Sequence, residues 1–324
     1  LMAAANNAVR ESIGARIAAL AGSDDAAFVL DHAAAQIKWQ GAPVARIAAG
    51  ADILHPAVEV LPSELLDAPL REEVRKRLQG WLDAHLGTEL APLFVLAQGE
   101  FSGAARGLAF RLGEGLGCAL RARGDDPSAH LGEDDKKAIA KAGVRIGVAT
   151  AYLPAMLKGR VMALKAMLFR ICHGNDQPLP DGGATAMPCS ELVDTNWYLS
   201  LGFCPAGPIA IRADELERML AVLRRGTKEG EFAVNPDILS RIDAPADVFA
   251  RMLRSQGYDV REAEDGIKVT RRPRAKRKPP RAKDGPRQAG AKPVRGKTKP
   301  KKSEPVFDPD SPFAKLQELK ERMR

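Results

Sequence analysis

The pattern of apolar and polar positions changes within the first sixty residues. Residues 3–21 carry apolar side chains at the spacing of an amphipathic helix, namely Val9, Ile13, Ile17 and Leu20. Short strand-like runs then follow, separated by turns, at 28–30, 37–40, 44–47 and 58–60. We therefore predict a leading helix and a small antiparallel β-sheet element over residues 1–62. Trp39 is expected in the core or on a sheet face, which we favour over a base-stacking role.

A helical period returns at residue 63. Ser63 is the expected N-cap, and a stripe through Val74, Leu78 and Trp81 predicts an amphipathic helix with a half-buried His85. Further helices are predicted, with Pro154 dividing two helical pieces, at 102–120, 134–142 and 157–171. The pattern thus indicates a helical bundle over residues 63–175.

A loop rich in Gly, Pro and Asp at 175–187 precedes a different order of elements. The pattern predicts a strand at 209–212, a helix at 213–225, a short helix opened by Asn235-Pro236, a helix at 247–256 and a hairpin at 258–270. This order is typical of a winged helix-turn-helix. We therefore predict a linker plus a winged-helix-like domain over residues 176–270.

The second helix of that predicted motif carries Arg251 and Arg254, three residues apart and on one face. Nucleic-acid contact is one interpretation of this face. Protein packing is the other, because winged helices also serve as packing modules and acidic Asp247 and Asp259 flank the helix. The predicted fold class is mainly α: a helical bundle with a small antiparallel β element and a C-terminal winged-helix-like domain, followed by a disordered basic tail.

Charge is distributed very unevenly along the chain. Between Arg271 and Lys302 there are fifteen Lys or Arg residues against one acid, Asp284, a net charge of +14 in a chain whose total is +8. The remaining residues therefore sum to −6. Such an arm, predicted as disordered over 271–305, binds RNA or DNA electrostatically, whereas the alternative is a solvated linker. The segment contains no aromatic residue, so we expect its binding to be independent of base sequence.

The predicted nucleic-acid-binding residues are the two helix arginines and the first cations of the arm. They are Arg251, Arg254, Arg271, Arg272, Arg274, Lys276, Arg277, Lys278, Arg281 and Lys283. A short amphipathic terminal helix is predicted over 306–324, with Phe313, Leu316 and Leu319 as its apolar stripe. Alone it would be marginal, so we expect it to bind a protein partner; a frayed tail is the alternative.

We find no Walker phosphate loop, no zinc-type ligand spacing and no nucleophile–base arrangement with supporting context. The glycines of 113–117 do not complete a dinucleotide fingerprint, because the third position falls on Cys118. Cys172-His173, Cys189 and Cys204 lack a Cys-x-x-Cys pair, which disfavours a metal site. No catalytic residue, metal or cofactor is therefore predicted for this chain.

The four cysteines are scattered in a chain without a secretory signal, which predicts reduced thiols and a cytoplasmic location. The longest apolar stretch, at 144–171, includes five Lys or Arg residues, so no membrane span is predicted. Leu1 precedes Met2, which we interpret as a piece of a longer protein or a cloning scar.

Several separate blocks occur in the order found in one family. They are FVLD (28–31), IKWQGAPVARI (37–47), VRKRLQGWLDAHL (74–86), SGAARGLAFRL (102–112), GVRIG (143–147), YLPAMLK (152–158) and GPIAIRADELER (207–218). Over residues 10–270 the chain resembles the C-terminal half of the large alphaproteobacterial superfamily 2 helicases. That family is related to the RNA helicase of the mitochondrial degradosome.

The resemblance implies an accessory nucleic-acid-binding region of an ATP-dependent RNA or DNA helicase. In that family the motor that binds ATP and Mg²⁺ and hydrolyses ATP lies N-terminal to this region. Helicase activity would thus belong to the parent protein and to no residue of this chain. Two alternatives stay open: a stand-alone winged-helix DNA-binding protein, and a protein-binding scaffold with a basic tether.

Overall fold

The computed structural model describes residues 14–62, 67–121, 126–175, 177–242, 244–263 and 266–272. About half of these residues are helical and 23% lie in strands, which form four small antiparallel sheets. The predicted mainly α class with a helical bundle is therefore wrong, and the chain has a mixed α and β architecture. The winged-helix-like assignment is not confirmed.

Ten α-helices occur within the described ranges. They are α1 (14–21), α2 (Ala68–Glu89), α3 (Ala91–Gln98), α4 (Gly103–Glu114), α5 (Glu133–Lys141), α6 (Gly159–His173), α7 (Thr195–Leu201), α8 (Ala213–Gly226), α9 (Pro236–Ile242) and α10 (Ala246–Ser255). None of them combines the length and the apolar character that crossing a bilayer requires.

The strands pair into sheets of order β1-β2-β3-β4, β5-β7-β6, β8-β10-β9 and β11-β13-β12. Their bounds are β1 (Phe28–Asp31), β2 (Gln36–Trp39), β3 (Ala42–Asp52), β4 (His55–Val60), β5 (Cys118–Leu120), β6 (Arg145–Ile146), β7 (Thr150–Tyr152), β8 (Ala186–Pro188), β9 (Phe203–Ala206), β10 (Ile209–Arg212), β11 (Phe232–Ala233), β12 (Tyr258–Ala263) and β13 (Gly266–Arg271). Every pairing is antiparallel.

The first sheet confirms the strand pattern near the N-terminus. Alternate residues of β2 are buried, as the period of two for a strand requires, and they include Ile37 and Trp39. Trp39 is 3% exposed and its indole Nε1 donates to Ser23 Oγ at 3.0 Å. Trp39 is therefore a core residue, as predicted.

Helix α2 packs against this sheet through one apolar stripe that includes Val74, Leu78 and Trp81. Its N-cap is Asp67, whose carboxylate accepts from Leu70 N at 3.1 Å. The predicted N-cap, Ser63, lies outside the described residues.

The segment predicted as a helical bundle contains the sheet β5-β7-β6. Helix α4 ends at Glu114 and residues 118–120 form strand β5, where a continued helix was predicted. Gly117 adopts a φ of +100°, a conformation that breaks the helix and turns the chain into the strand. Residues 150–152 before Pro154 are strand β7, so Pro154 follows a strand and begins a 3₁₀ turn.

The elements from α8 to β13 occur in the predicted order, with β11 added between α8 and α9. Strand β13 lies between β11 and β12, so it is hydrogen-bonded on both sides. The described residues up to Arg272 form one compact unit. The domain limits predicted at residues 62 and 175 stay predictions.

Candidate nucleic-acid interface

Helix α10 presents Arg251 and Arg254 to solvent. Its opposite face packs Phe249, Met252 and Leu253 into the core, and each of these is 0% exposed. Residues three apart lie on the same side of a helix, so the two arginines share the outer face, as predicted.

Both arginines have carboxylate partners. Arg251 Nη2 lies 3.1 Å from Asp247 Oδ2, and Arg254 Nη2 lies 3.8 Å from Glu262 Oε1. Pairs this exposed contribute little to stability, yet each carboxylate offsets the charge that a phosphate would meet. The outer face of α10 is therefore close to neutral.

The end of β13 carries the next two predicted residues, Arg271 and Arg272. Arg272 Nε donates to Asp259 Oδ1 at 2.6 Å. Arg271 has no ion-pair partner within the described part of the chain, and its side chain is exposed. Of the predicted arginines on described elements, only Arg271 keeps an uncompensated charge.

The remaining predicted residues lie outside the described ranges. They are Arg274, Lys276, Arg277, Lys278, Arg281 and Lys283 of the arm, and Phe313, Leu316 and Leu319 of the terminal segment. Their roles in nucleic-acid or partner binding stay predictions.

Ion pairing divides the basic residues of the C-terminal region into two groups. From Ile209 to Arg272 there are twelve Lys or Arg residues. Seven lie within 3.8 Å of a carboxylate: Arg212, Arg218, Arg241, Arg251, Arg254, Arg261 and Arg272. The other five have no ion pair with a described residue: Arg224, Arg225, Lys228, Lys268 and Arg271.

The unpaired group includes residues that sequence reasoning missed. Arg224 and Arg225 are exposed in the last turn of α8, and exposed Lys228 follows that helix. The signal in the sequence was the dipeptide Arg224-Arg225, although one acid, Glu229, lies four residues after Arg225. A basic helix end is common, since cations there complement the helix dipole, and so the dipeptide alone did not indicate a binding site.

Tyr258 of β12 lies in the same core as Leu223 of α8 and Val269 of β13. Its ring is 5% exposed, and this burial raises the pKa of its phenol. The positive charges of Arg271 and Arg224 oppose that rise in the Tyr258 pKa.

A separate cluster of reactive groups lies in the interior. Cys118 Sγ and Cys204 Sγ are 3.3 Å apart, and both residues are completely buried. Nearby Lys165 is also completely buried; desolvation lowers its pKa to about 8, while Nζ donates to Met156 O at 2.7 Å. Burial raises the pKa of the Cys204 thiol well above its usual value. These groups are buried in the core.

A cavity of about 450 Å³ opens between β1 and α2. It is lined by Phe28, Trp81, His85 and His32, and the His85 ring stacks on Trp81 at 5.2 Å between centroids. His85 is half-buried, as predicted. Burial lowers the pKa of His32, whose Nε2 has no hydrogen-bond partner within the described structure.

Within the described ranges, no three His, Cys, Asp or Glu side chains are grouped so that they could hold a metal ion. Comparison with known proteins yields no family model, no curated protein and no solved structure that matches this chain.

Proposed function

We propose that this chain is an accessory nucleic-acid-binding region of an ATP-dependent RNA or DNA helicase. The observation that carries the proposal is the separation of charge: a net +14 lies between Arg271 and Lys302, and −6 lies in all other residues together. A dense run of cations releases condensed counterions when it neutralises phosphates, which makes nucleic acid its natural partner.

Ion pairs among the described C-terminal residues support the same separation of charge. Seven of its twelve C-terminal cations are already compensated by carboxylates, so most of the uncompensated charge belongs to the arm. In this proposal the arm holds a strand electrostatically while the motor cycles through ATP. The resemblance to superfamily 2 helicases supports the assignment of that motor to the parent protein.

Deletion of residues 274–302 tests the binding role. It removes thirteen of the fifteen cations and leaves β13 intact. If the arm contacts about five to eight phosphates at once, the slope of log affinity against log salt should fall by about 3 to 6 on single-stranded RNA. An unchanged slope would contradict the proposal.

A pair of matched variants separates charge from sequence. One scrambles residues 274–302 at constant composition, and the other changes their Lys and Arg residues to Gln at constant length. We expect the scrambled arm to bind like the parent and the Gln arm to bind like the deletion, because counterion release depends on charge density. The helicase assignment has its own test, which is a phosphate-binding loop encoded upstream of Leu1.

A further inference from the structure

The sulfur atoms of two buried cysteines touch each other where two sheets pack together. Cys118 Sγ lies 3.3 Å from Cys204 Sγ, and both residues are 0% exposed. Cys118 is in β5 and Cys204 in β9, strands that belong to different sheets and pack against each other. Each strand forms its backbone hydrogen bonds within its own sheet, so the two cysteines meet through their side chains.

Helix α8 holds the two sheets together at this interface. It packs on β9 and on β7, the strand that pairs with β5. The Glu217 carboxylate of α8 accepts hydrogen bonds from Ala149 N at 2.8 Å and from Thr150 N at 2.7 Å, where β7 begins. The contact between the two sulfurs is therefore set by elements that are themselves tied together.

The positions of β5 and β9 suit the closure of a bond between the sulfurs. A disulfide has a sulfur–sulfur distance of about 2.05 Å, so the two sulfurs would approach each other by about 1.3 Å. Within the described residues, β5 and β9 are both edge strands, each hydrogen-bonded to one neighbouring strand. An edge strand can move by this amount without disturbing a second ladder.

The enclosure of the pair restricts the oxidants that can reach it. Oxidised glutathione is a charged peptide and is too large for a site without solvent exposure. Hydrogen peroxide is neutral and little larger than a water molecule, so the small local openings of a folded protein admit it. The half-buried Cys172 and Cys189 are more accessible, but neither is in contact with another thiol.

We propose that Cys118 and Cys204 form a reversible disulfide with a hydroperoxide as the oxidant. One thiol attacks a peroxide oxygen and becomes a sulfenic acid, and one water molecule leaves. The second thiol attacks the sulfenic sulfur, the sulfur–sulfur bond forms and a second water leaves. The two thiols together lose two electrons and two protons, and hydrogen peroxide is reduced to water. The second step is fast because the partner thiol is already in contact.

The bond would join the β5-β7-β6 sheet covalently to the β8-β10-β9 sheet. It would link two residues that are 86 positions apart in the chain. A crosslink across so long a segment restricts the unfolded chain strongly, so the oxidised protein should have a Tm higher by roughly 5–10 °C. This site is independent of nucleic-acid binding and goes beyond the proposed function.

The test exposes the folded full chain to hydrogen peroxide and maps its peptides without reductant by mass spectrometry. We expect a crosslinked peptide pair containing Cys118 and Cys204, and a rise in Tm that dithiothreitol reverses. Cys204→Ala should lose the crosslink and the rise in Tm. The double variant Cys172→Ala/Cys189→Ala is the matched control and should keep both. Thermal unfolding in reductant establishes that each variant is folded.

A weak S–H···S hydrogen bond between two core thiols is the other account of the contact, and it predicts no crosslink. The proposal is overturned if peroxide oxidises Cys172 and Cys189 while Cys118 and Cys204 stay reduced. It is also overturned if the crosslink forms only in urea, or as fast with oxidised glutathione as with peroxide. Peptide maps of the parent and the double variant decide the question even if Cys204→Ala does not fold.

Discussion

Cys118 Sγ and Cys204 Sγ lie 3.3 Å apart although 86 residues separate them in the chain. Cys118 is in β5 and Cys204 in β9, strands that belong to two different sheets and pack against each other. The two thiols therefore join the middle of the chain to its C-terminal region within one continuous core.

We predict that these two thiols resist alkylation in the folded protein. Both are completely buried and closed to the reagent, and burial raises the pKa of Cys204, so that residue carries little reactive thiolate. Half-buried Cys172 and Cys189 should be labelled first by iodoacetamide, and Cys118 and Cys204 only after unfolding. Peptide mass spectrometry of native and denatured samples measures the order. Equal labelling rates for all four cysteines would contradict this prediction.

Lys165 should make stability depend on pH in the alkaline range. Its folded pKa of about 8 lies below the usual lysine pKa of 10.5, because burial disfavours the ammonium form. Between these values the unfolded state binds more protons, so the free energy of unfolding should rise with pH, by about 3 kcal/mol at most. Below pH 8 both states are protonated and the contribution is constant.

Lys165→Met provides the matched comparison. The variant has a side chain of similar length without a titrating group, so its unfolding free energy should lack the alkaline rise. Urea denaturation at several pH values measures the difference in unfolding free energy between parent and variant. The contributions of the other titrating groups cancel in this difference. Parallel curves from pH 7 to 11 would show that Lys165 is not desolvated as described.

Glu217 of α8 should be essential for the turn before β7. Its carboxylate accepts from Ala149 N at 2.8 Å, from Thr150 N at 2.7 Å, from Thr150 Oγ1 at 2.9 Å and also from Val148 N. We expect Glu217→Gln to reduce the free energy of unfolding by roughly 2–3 kcal/mol, since an amide offers one oxygen where two are needed.

Denaturation and hydrogen exchange together test the role of Glu217. Exchange should speed up selectively at residues 148–150, whose amides lose their acceptor. Glu114→Gln is the control, because that side chain is exposed at the end of α4, and it should change stability by less than about 0.5 kcal/mol. Similar losses in both variants would contradict a specific role.

The purified chain should not hydrolyse ATP above background, with or without single-stranded RNA. The sequence contains no phosphate-cradling loop of the Walker type. A coupled assay across the fractions of a size-exclusion peak measures turnover and separates it from contaminants. Turnover that follows the protein peak and increases with RNA would overturn the separation of motor and accessory region.

The strands at 28–60 and the C-terminal hairpin could be predicted because their patterns are local. Period-two burial in β2 and the turn at 264–266 are both visible in a few neighbouring residues. Strand β5 could not be predicted in this way. Its residues continue a run that favours helix, and only its pairing with Thr150–Tyr152, thirty residues later, makes it a strand.

The arginines of the candidate nucleic-acid interface also show how far local sequence patterns can predict a site. The pairing of Arg251 with Asp247 follows an i,i+4 spacing that the sequence contains, and it explains why this predicted arginine is compensated. Leu223 of α8 and Tyr258 of β12 share one core although β11, α9 and α10 separate them in the chain. No local pattern encodes such a distance, so the unpaired arginine at the end of α8 was missed.

The central position of β13 has a mechanical consequence. The basic segment continues from a strand that is bonded to β11 on one side and β12 on the other. Ladder hydrogen bonds run perpendicular to the strands, so tension along β13 loads the bonds on both sides together in shear instead of breaking them one by one. Tension applied through residue 273 and those after it would thus load the hydrogen bonds of the whole β11-β13-β12 sheet together.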